Sequence, residues 1–371
     1  MTEARNSAHV VKYTWRSTVN EGVSPADHCR IVVIGVGGAG SNTVTRMMEI
    51  GVEGVECIAI NTDAARLDES KAHQKILIGE KLTRGLGVGG DPKLGRAAME
   101  ESKATVEQLL AGVDIAFITA GLGGGTGTGA SPVVAKIARR KGAVTVGVVT
   151  TPFRIERNRR KAAAFALAEM RGQCDTVAVI DNNKLTHLTP QLPMTEAFRT
   201  ADQVLAKMIQ GIVETISVPS LINLDMAGFR TVVKKGGMAA VGVGESAASN
   251  RAEEAVRNAL TSPLLNMGYA GATGALVHVT GDSQMTIEEA NRVGETVAEM
   301  MDNNATVIWG ARVNSEQQGK LRVTLIMTGV NSHNTLKDLG TIAPQLFNME
   351  SGANPEKPLN ADIGLYQMEK C

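Results

Sequence analysis

The chain has 371 residues, of which 43% are hydrophobic, so we expect two globular domains and exclude a wholly disordered protein. Thirty-eight Lys and Arg residues balance 38 Asp and Glu residues, which leaves no net charge to hold a nucleic acid or an anionic membrane nonspecifically. Aromatic residues make up only 3% of the chain whereas glycines number 40, a composition that favours close approach of backbone to phosphates over stacking on bases.

Cysteine and histidine spacing argues against a metal cage built by the protein. The four cysteines (Cys29, Cys57, Cys174 and Cys371) form no C-x-x-C pair, and the six histidines form no H-E-x-x-H. No apolar run reaches the roughly 18 residues of a membrane span, and the first residues lack the apolar core of a signal peptide. We therefore expect a cytoplasmic protein with reduced cysteines and no direct membrane insertion.

Strands and helices alternate from residue 30 to residue 180. Residues 30–35 form an apolar run of strand length that ends in glycines, and residues 41–50 space their apolar side chains helically. This alternation predicts a Rossmann-like α/β domain, in which helices cover both faces of a parallel sheet. The other predicted strands are 56–60, 113–120, 143–150 and 176–180, and the other predicted helices are 94–110, 132–140 and 157–171.

A long helix is predicted at residues 195–217, with an apolar face broad enough to be buried between two bodies. After it, predicted strands (239–244, 274–280, 305–312 and 321–329) and helices (251–260 and 287–301) indicate a second, smaller α/β domain. The expected organisation is an N-terminal extension (1–29), a first α/β domain (30–194), the central helix (195–218), the second α/β domain (219–333) and a flexible tail (334–371).

The first glycine-rich segment, Gly35-Val-Gly-Gly-Ala-Gly40, satisfies G-x-G-x-x-G between a strand and a helix. Backbone N–H groups and the start of a helix would then face an anion. A dinucleotide-binding fold places an acidic residue about 20 residues further on, and Asp63 lies near that place. An NAD-dependent dehydrogenase is therefore one interpretation, and tight packing without any ligand is another.

The second glycine-rich segment, from Gly121 to Gly129, holds six glycines in nine residues. Because each glycine costs conformational entropy on ordering, we expect a ligand close to this backbone rather than packing alone. Ser131 is predicted to cap the next helix and Pro132 to begin it, while Thr126 and Thr128 would donate hydroxyl groups.

The two glycine segments are expected at the C-terminal ends of neighbouring strands. Such loops can hold a di- or triphosphate from two sides, which a dinucleotide fold does not require, so the pair favours a nucleoside triphosphate. The chain contains no G-x-x-x-x-G-K-[ST], and the lysine-based phosphate loop of ordinary NTPases is therefore absent.

From about residue 29 to residue 330 the chain resembles the FtsZ family, the tubulin-like cell-division GTPases of bacteria and archaea. The segment GGGTGTG at residues 123–129 is the signature of the tubulin superfamily. The N-terminal extension is more similar to those of archaeal members. Further matching segments are GVGGAGSN at 35–42, NTD at 61–63, TRGLGVGGDP at 83–92, TPFRIE at 151–156, AFRTAD at 197–202 and LINLD at 221–225.

The resemblance implies a site for GTP or GDP within residues 30–194, the expected GTPase domain. Gly89 and Gly90 would sense the γ-phosphate end, and Glu156 would bind the ribose with Arg160 beside it. The other residues that it implies for nucleotide binding are Gly37, Gly38, Ala39, Gly40, Ser41, Asn42, Asp63, Gly123, Gly124, Gly125, Thr126, Gly127, Thr128 and Pro152.

The same resemblance assigns the guanine to two residues of the long helix. Phe198 would stack on the base, and Asp202 would accept hydrogen bonds from its N1 and its exocyclic amine. A carboxylate that accepts from two donors selects guanine over adenine, whose edge carries an acceptor at that point. Spacing alone is equally compatible with Asp202 as a solvated helix residue.

Hydrolysis in the resembled family is completed by the loop after the long helix of a neighbouring subunit, whose carboxylates act on the attacking water. Here that loop reads Asn223-Leu-Asp225-Met-Ala-Gly228, and Gly228 stands where the family usually has a second Asp. Asn223 and Asp225 are therefore the candidate catalytic residues, with GTP turnover expected to be slow. The alternative is a structural or regulatory filament protein that binds GTP with little or no hydrolysis.

The resemblance also predicts partners. A nucleotide at one end of the molecule and its completing loop at the other give a head-to-tail interface that does not close, so copies of the chain would form a filament. Mg²⁺ would be held by the phosphates and water rather than by protein ligands. The tail segment at residues 362–366 could dock a membrane-tethering adaptor at the division site, or could be chance apolar residues in a disordered tail.

Overall fold

The computed structural model describes residues 10–12, 29–52, 54–184, 193–217, 226–234, 236–261, 271–301, 304–314 and 317–330. The strands are β1 (Val10–Lys12), β2 (Ile31–Val36), β3 (Glu56–Asn61), β4 (Gln74–Leu77), β5 (Ile115–Gly121), β6 (Val144–Thr151), β7 (Thr176–Asp181), β8 (Met238–Ser246), β9 (Gly274–Gly281), β10 (Thr306–Val313) and β11 (Leu321–Val330). The helices are α1 (Gly37–Ile50), α2 (Ala64–Glu69), α3 (Glu80–Thr83), α4 (Pro92–Glu101), α5 (Lys103–Leu109), α6 (Thr126–Arg140), α7 (Arg157–Gln173), α8 (Met194–Ser217), α9 (Met226–Val233), α10 (Arg251–Leu260) and α11 (Ile287–Glu299).

The described strands form one sheet in the order β1-β4-β3-β2-β5-β6-β7-β8-β11-β9-β10. From β4 to β7 all neighbours are parallel, which confirms the α/β class expected from the alternation of strands and helices. β7 joins β8 through only two residue pairs, and β11 runs antiparallel to both β8 and β9. The predicted second group of strands therefore continues the first sheet through a short ladder.

Both faces of this sheet are covered by helices. All six residues of β2 are buried: Val32 and Ile34 belong to the apolar cluster on one face, and Ile31 and Val33 to the cluster on the other. The continuous apolar run is what a strand with two covered faces requires. Helices α1, α8 and α9 supply side chains to the second cluster, whereas α4–α7, α10 and α11 supply them to the first.

The long helix α8 lies where its apolar face predicts. Its residues Leu205, Ile209 and Ile212 are at most 2% exposed and pack into the second apolar cluster. The same cluster contains Val44 and Met47 of α1. Helices α8 and α1 therefore pack against each other on this face of the sheet.

Two predicted helices have different bounds in the structure. The helix predicted at 94–110 is two helices, because the Ser102 hydroxyl accepts a hydrogen bond from the Gly79 N–H at 3.1 Å and the backbone leaves the helical region there. The prediction that Ser131 caps α6 is wrong, since α6 begins at Thr126 and Pro132 lies inside it. Elements that the sequence reasoning did not predict are β1, β4, α2, α3 and α9.

The early start of α6 follows from its packing on α4. A Cβ atom on Gly95 would lie 2.5 Å from the Gly125 carbonyl oxygen, and one on Gly129 would lie 2.0 Å from the Pro92 carbonyl oxygen. The two helix backbones are thus in direct contact through glycines, and this tertiary contact outweighs the local cap signal. Within the described residues, no helix combines the length and apolar character needed to cross a membrane.

Candidate functional site

A cavity of about 730 Å³ lies at the C-terminal ends of five parallel strands. Its volume is within the range of roughly 300–1,000 Å³ that small-molecule sites occupy, and its position is the one at which open α/β sheets bind ligands. Its lining comes from the segments that follow β2, β3, β5, β6 and β7, from residues 86–90, and from α8. A second cavity between α8 and the strands β8, β9 and β11 holds only about 30 Å³, room for about one water molecule.

The structure brings together much of the predicted nucleotide set. The predicted residues that line the cavity are Gly38, Ala39, Asp63, Gly89, Gly90, Gly123, Gly124, Gly125, Thr126, Gly127, Pro152, Glu156, Phe198 and Asp202. The predicted residues that do not line it are Gly37, Gly40, Ser41, Asn42, Thr128 and Arg160. Asn223 and Asp225, the predicted catalytic residues, lie outside the described residues.

Three helices begin at this cavity without a side-chain cap: α7, which follows Glu156, and the pair α1 and α6. Neither Val36, before α1, nor Gly125, before α6, caps its helix with a side-chain hydrogen bond. Because β2 and β5 are adjacent, the two helix starts lie side by side. By contrast α2 and α4, at the edge of the same cavity, are capped by Asp63 and Asp91. The free N–H groups and positive ends of α1 and α6 together provide a site for an anion.

The glycines of the second segment have two different roles. Added Cβ atoms on Gly121, Gly123, Gly125, Gly127 and Gly129 would lie between 2.0 and 3.0 Å from neighbouring atoms. Packing therefore accounts for five of the six glycines, which corrects the expectation that packing could not explain them. Gly124 is the exception, because a Cβ atom there would meet no atom within 4 Å.

The two glycine-rich segments contact each other directly. Gly37 has a φ of +72°, and a Cβ atom on it would lie 2.8 Å from the Gly127 nitrogen. The Thr126 and Thr62 hydroxyl oxygens are 2.7 Å apart and buried, and the Thr128 hydroxyl accepts from the Gly123 N–H at 2.8 Å. Thr128 thus holds the loop closed from inside rather than lining the cavity. These contacts fix the relative position of the two helix starts.

One end of the cavity is formed by the start of α2 and residues 86–90. Asp63 caps α2 by accepting from the Arg66 N–H at 3.1 Å, and it forms an isolated β-bridge with Leu86. Gly89 and Gly90 both have positive φ, and Cβ atoms on them would meet nothing within 4 Å. This end therefore exposes backbone to the cavity.

The other end carries the aromatic rings and a half-buried carboxyl group. The rings of Phe153 and Phe198 meet edge to face with their centroids 5.7 Å apart. Burial raises the pKa of Asp202, one turn further along α8, to about 7, while the positive charge of Arg46 acts in the opposite direction. The Asn182 amide oxygen lines the cavity and is buried without a hydrogen-bond partner in the described structure. A ligand here would meet two acceptors beside aromatic surface.

Glu156 and its neighbours close the cavity near β6. Glu156 accepts from the Phe153 N–H at 3.2 Å and from the Arg159 guanidinium at 2.6 Å. Arg159 lines the cavity, whereas Arg160 does not, and the Arg160 Nε atom is buried without a partner among the residues that the structure describes. The arginine beside Glu156 in the cavity is thus Arg159, one residue before the predicted one.

Sequence reasoning did not select Phe153, Asn182 or Arg159. Phe153 lies inside the matched segment TPFRIE, and Asn182 comes directly after the apolar run of β7. Both follow a parallel strand at its C-terminal end, so the rule that ligands bind at that edge would have selected them.

Two family models match successive parts of the chain. The GTPase-domain model of the Tubulin/FtsZ family matches residues 30–190, and the C-terminal-domain model of the FtsZ family matches residues 237–331. Cell division protein FtsZ 2 of Methanocaldococcus jannaschii is 53% identical over 308 residues, which cover 82% of this chain and 81% of that protein. The chain belongs to the FtsZ family.

Other relatives agree in sequence and in structure. Cell division protein FtsZ 2 of Haloferax volcanii is 48% identical over 307 residues, 83% of this chain and 77% of that protein. A solved structure of an empty FtsZ dimer from M. jannaschii has 45% sequence identity and a TM-score of 0.79, and the match covers 86% of this chain and 96% of that one. With FtsZ membership shown, the dehydrogenase interpretation of the first glycine segment is abandoned.

The cavity of this FtsZ-family chain is lined by residues within the GTPase-domain match and by residues beyond it. Phe198 and Asp202 lie beyond residue 190, in the helix between the two matched domains. Binding at the cavity would therefore involve both the GTPase domain and α8. A ligand in the cavity would therefore contact the helix that leads toward the C-terminal domain.

Proposed function

We propose that this FtsZ-family protein binds GTP in the cavity and that GTP binding drives its head-to-tail assembly in cell division. The observation that carries the proposal is that the uncapped starts of α1 and α6 lie side by side at a cavity whose other end holds aromatic rings and a carboxyl group. A polyphosphate suits the first feature and a guanine base suits the second. The names of the relatives, which are cell division proteins, support the biological role.

The width of the sheet at the cavity supports a nucleotide that lies across the strands. β3 and β7 lie four strand positions apart in the sheet, which at about 4.8 Å per step gives roughly 19 Å. We place the base between Phe198, Phe153 and Asp202, near the ends of β6 and β7. The phosphates then extend across Gly38, Gly124 and Thr126 toward residues 87–90.

The chain's own residues would bind and orient the nucleotide. N–H groups at the starts of α1 and α6 would donate to phosphate oxygens, and Glu156 would accept from a ribose hydroxyl group. Asp202 and the Asn182 amide oxygen would accept from the guanine edge. No group of three or more potential metal ligands occurs among the described residues. Mg²⁺ would therefore be held by phosphate oxygens and water, where it offsets the charge of the phosphates.

Hydrolysis is proposed to require a second copy of the chain, as the dimer of a relative would allow. The loop that contains Asn223 and Asp225 would enter the neighbour's cavity and orient the attacking water. Gly228, which replaces a family Asp, lies in the first turn of α9. With one carboxylate fewer, turnover would be slow. The competing possibility, a GTP-binding filament protein without useful turnover, depends on the same glycine.

We expect phosphate release per molecule to rise with protein concentration and to fall toward zero on dilution, because the site is completed between copies. Gly228→Asp should raise turnover several-fold, and a carboxylate in the first turn of a helix is also favourable for folding. Measuring GTP turnover across a concentration series, with pelleting of polymer in parallel, tests both points.

Two results would contradict this scheme. Turnover per molecule that is independent of concentration would reject the shared site. Polymer that pellets with GTP but releases no phosphate would select the structural filament instead. Asp68→Asn offers a control, since it changes a carboxylate on α2 that does not line the cavity, and it should leave the concentration dependence as it was.

GTP affinity should rise about tenfold between pH 6 and pH 8. The half-buried carboxyl group of Asp202 has its pKa raised to about 7, so below that pH it is mainly protonated and cannot accept two hydrogen bonds. Raising the pH ionises it and strengthens binding. Asp202→Asn should show a weaker pH dependence, and because the nucleotide's own titration affects both proteins equally, their difference isolates Asp202. Equal pH profiles would contradict the role of this carboxyl group.

The remaining parts of the proposal concern the tail and the domain boundaries. The tail segment at 362–366 would bind a membrane-tethering adaptor and bring filaments to the division site. The domain boundaries at residues 194, 218 and 333 are likewise proposed. Removal of residues 362–371 should leave GTP-dependent pelleting unchanged, while abolishing recruitment of polymer to vesicles that carry the adaptor.

A further inference from the structure

We infer that Arg66 recognises the terminal phosphate of the bound nucleotide and so distinguishes GTP from GDP. The inference rests on the proposed function, since it assigns a residue to one end of the same cavity. It begins from the charges of that cavity. Among the described residues that line it, the ionisable side chains are Asp63, Arg66, Glu156, Arg159 and Asp202.

Charge balance makes the two arginines the important members of this set. Two cations and three carboxyl groups cannot neutralise a triphosphate, which adds several negative charges. Arg159 is already engaged, because its guanidinium donates to Glu156 at 2.6 Å. Among the residues that the structure describes, the Arg66 guanidinium pairs only with Glu69, at 3.7 Å, and both side chains are more than 70% exposed. Such an exposed, long pair is weak, so the Arg66 guanidinium is available for a stronger anion.

The fold places Arg66 at the phosphate end. α2 begins directly after β3, and β3 is separated from β7 by the strands that carry the two glycine-rich loops. The start of α2 is tied to residues 85–87, since the Ala64 N–H donates to the Gly85 carbonyl at 2.9 Å and the Gly87 N–H donates to the Thr62 carbonyl at 3.1 Å. Arg66 thus lies on the side of the cavity formed by β3 and residues 87–90, whereas Phe153 and Asn182 follow β6 and β7 on the other side.

Arginine is the side chain suited to this task. Its planar guanidinium donates two parallel hydrogen bonds to a phosphate, and it keeps its charge at any physiological pH. Asp63 supports this arrangement by capping α2 through the Arg66 N–H, which fixes the helix turn that carries the side chain. A diphosphate would end short of Arg66, whereas the third phosphate of GTP would reach it.

The test compares GTP and GDP on the full chain at concentrations where sedimentation shows no assembly. Arg66→Ala should weaken GTP binding about tenfold and change GDP binding by less than twofold. Arg66→Lys should retain part of the preference, because it keeps the charge without the paired donors. Arg157→Ala is the matched control: Arg157 is exposed, does not line the cavity, and should leave the GTP-to-GDP ratio unchanged.

The outcomes separate this inference from the function on which it rests. A GTP-to-GDP affinity ratio that is the same in Arg66→Ala and the original protein would overturn the assignment, whether both affinities fall together or neither changes. GTP binding by the original protein would meanwhile leave the proposed function standing. If the original protein binds neither nucleotide, both are rejected.

Discussion

Asp202→Asn should lower GTP affinity about 100-fold and remove the preference for guanine over other bases. Hydrogen bonds to a charged group contribute about 1.5–3 kcal/mol each, and the carboxylate of Asp202 is proposed to accept two from the guanine edge. An Asn amide offers one acceptor and presents its own N–H groups to the second donor. Displacement of a fluorescent guanine nucleotide, below the assembly concentration, measures the loss.

Inosine triphosphate tests the contact to the exocyclic amine of guanine separately. It keeps the N1–H of guanine but lacks the exocyclic amine, so the original protein should prefer GTP to it by about tenfold or more. Asp202→Asn should bind the two nucleotides almost equally. Glu196→Gln is the matched control, since Glu196 is an exposed carboxylate on the same helix, paired with Arg199 at 3.8 Å. If Asp202→Asn still discriminates between the two nucleotides, Asp202 does not read the base.

Gly129→Ala should destabilise the protein by about 3 kcal/mol, although alanine is the better helix former. The new Cβ atom would lie 2.0 Å from the Pro92 carbonyl oxygen and 2.6 Å from the Arg96 nitrogen, both of them backbone atoms that cannot rotate away. Relief therefore requires α4 and α6 to separate. The midpoint of thermal unfolding, followed by circular dichroism, should fall by roughly 5 °C or more.

Gly124→Ala provides the contrasting variant from the same segment. A Cβ atom at this position meets no neighbour within 4 Å, and Gly124 lines the cavity. We expect the thermal midpoint to stay within about 1 °C, since substitutions without steric conflict cost little. GTP affinity should instead fall about tenfold, because the methyl group occupies space proposed for phosphate. Equal destabilisation of both variants would show that Gly129 and Gly124 do not differ in packing as described.

The difference between these two glycines could not be derived from the sequence. The sequence of residues 121–129 is typical of a single phosphate-binding loop, and the entropy cost of its six glycines predicts a ligand. In the fold, Gly125 contacts the Val88 side chain and Gly129 contacts Pro92, partners more than 35 residues distant in the chain. The spacing of glycines carries no information on which distant backbone approaches them.

Tertiary contacts also decide where α6 starts and which of the two arginines, Arg159 or Arg160, faces the cavity. Ser131 followed by Pro132 is a valid local start signal, but contacts of α6 with α4 and β5 extend the helix back to Thr126. For the two arginines, the rotation of α7 against the sheet decides which side chain faces the cavity, and Arg159 does. Matched motifs fix a residue's position in the chain, not the direction of its side chain.

Local patterns determined the α/β class, the long helix and the location of the cavity. The buried strands read as continuous apolar runs, because a parallel sheet covered on both faces must be apolar on both. The glycine loops follow those strands, and loops at the C-terminal ends of parallel strands share one edge, so their proximity could be predicted. Tertiary structure alone decided which glycines touch backbone, which arginine enters the cavity and how high the pKa of Asp202 rises, since contact, direction and burial depend on residues far away in the chain.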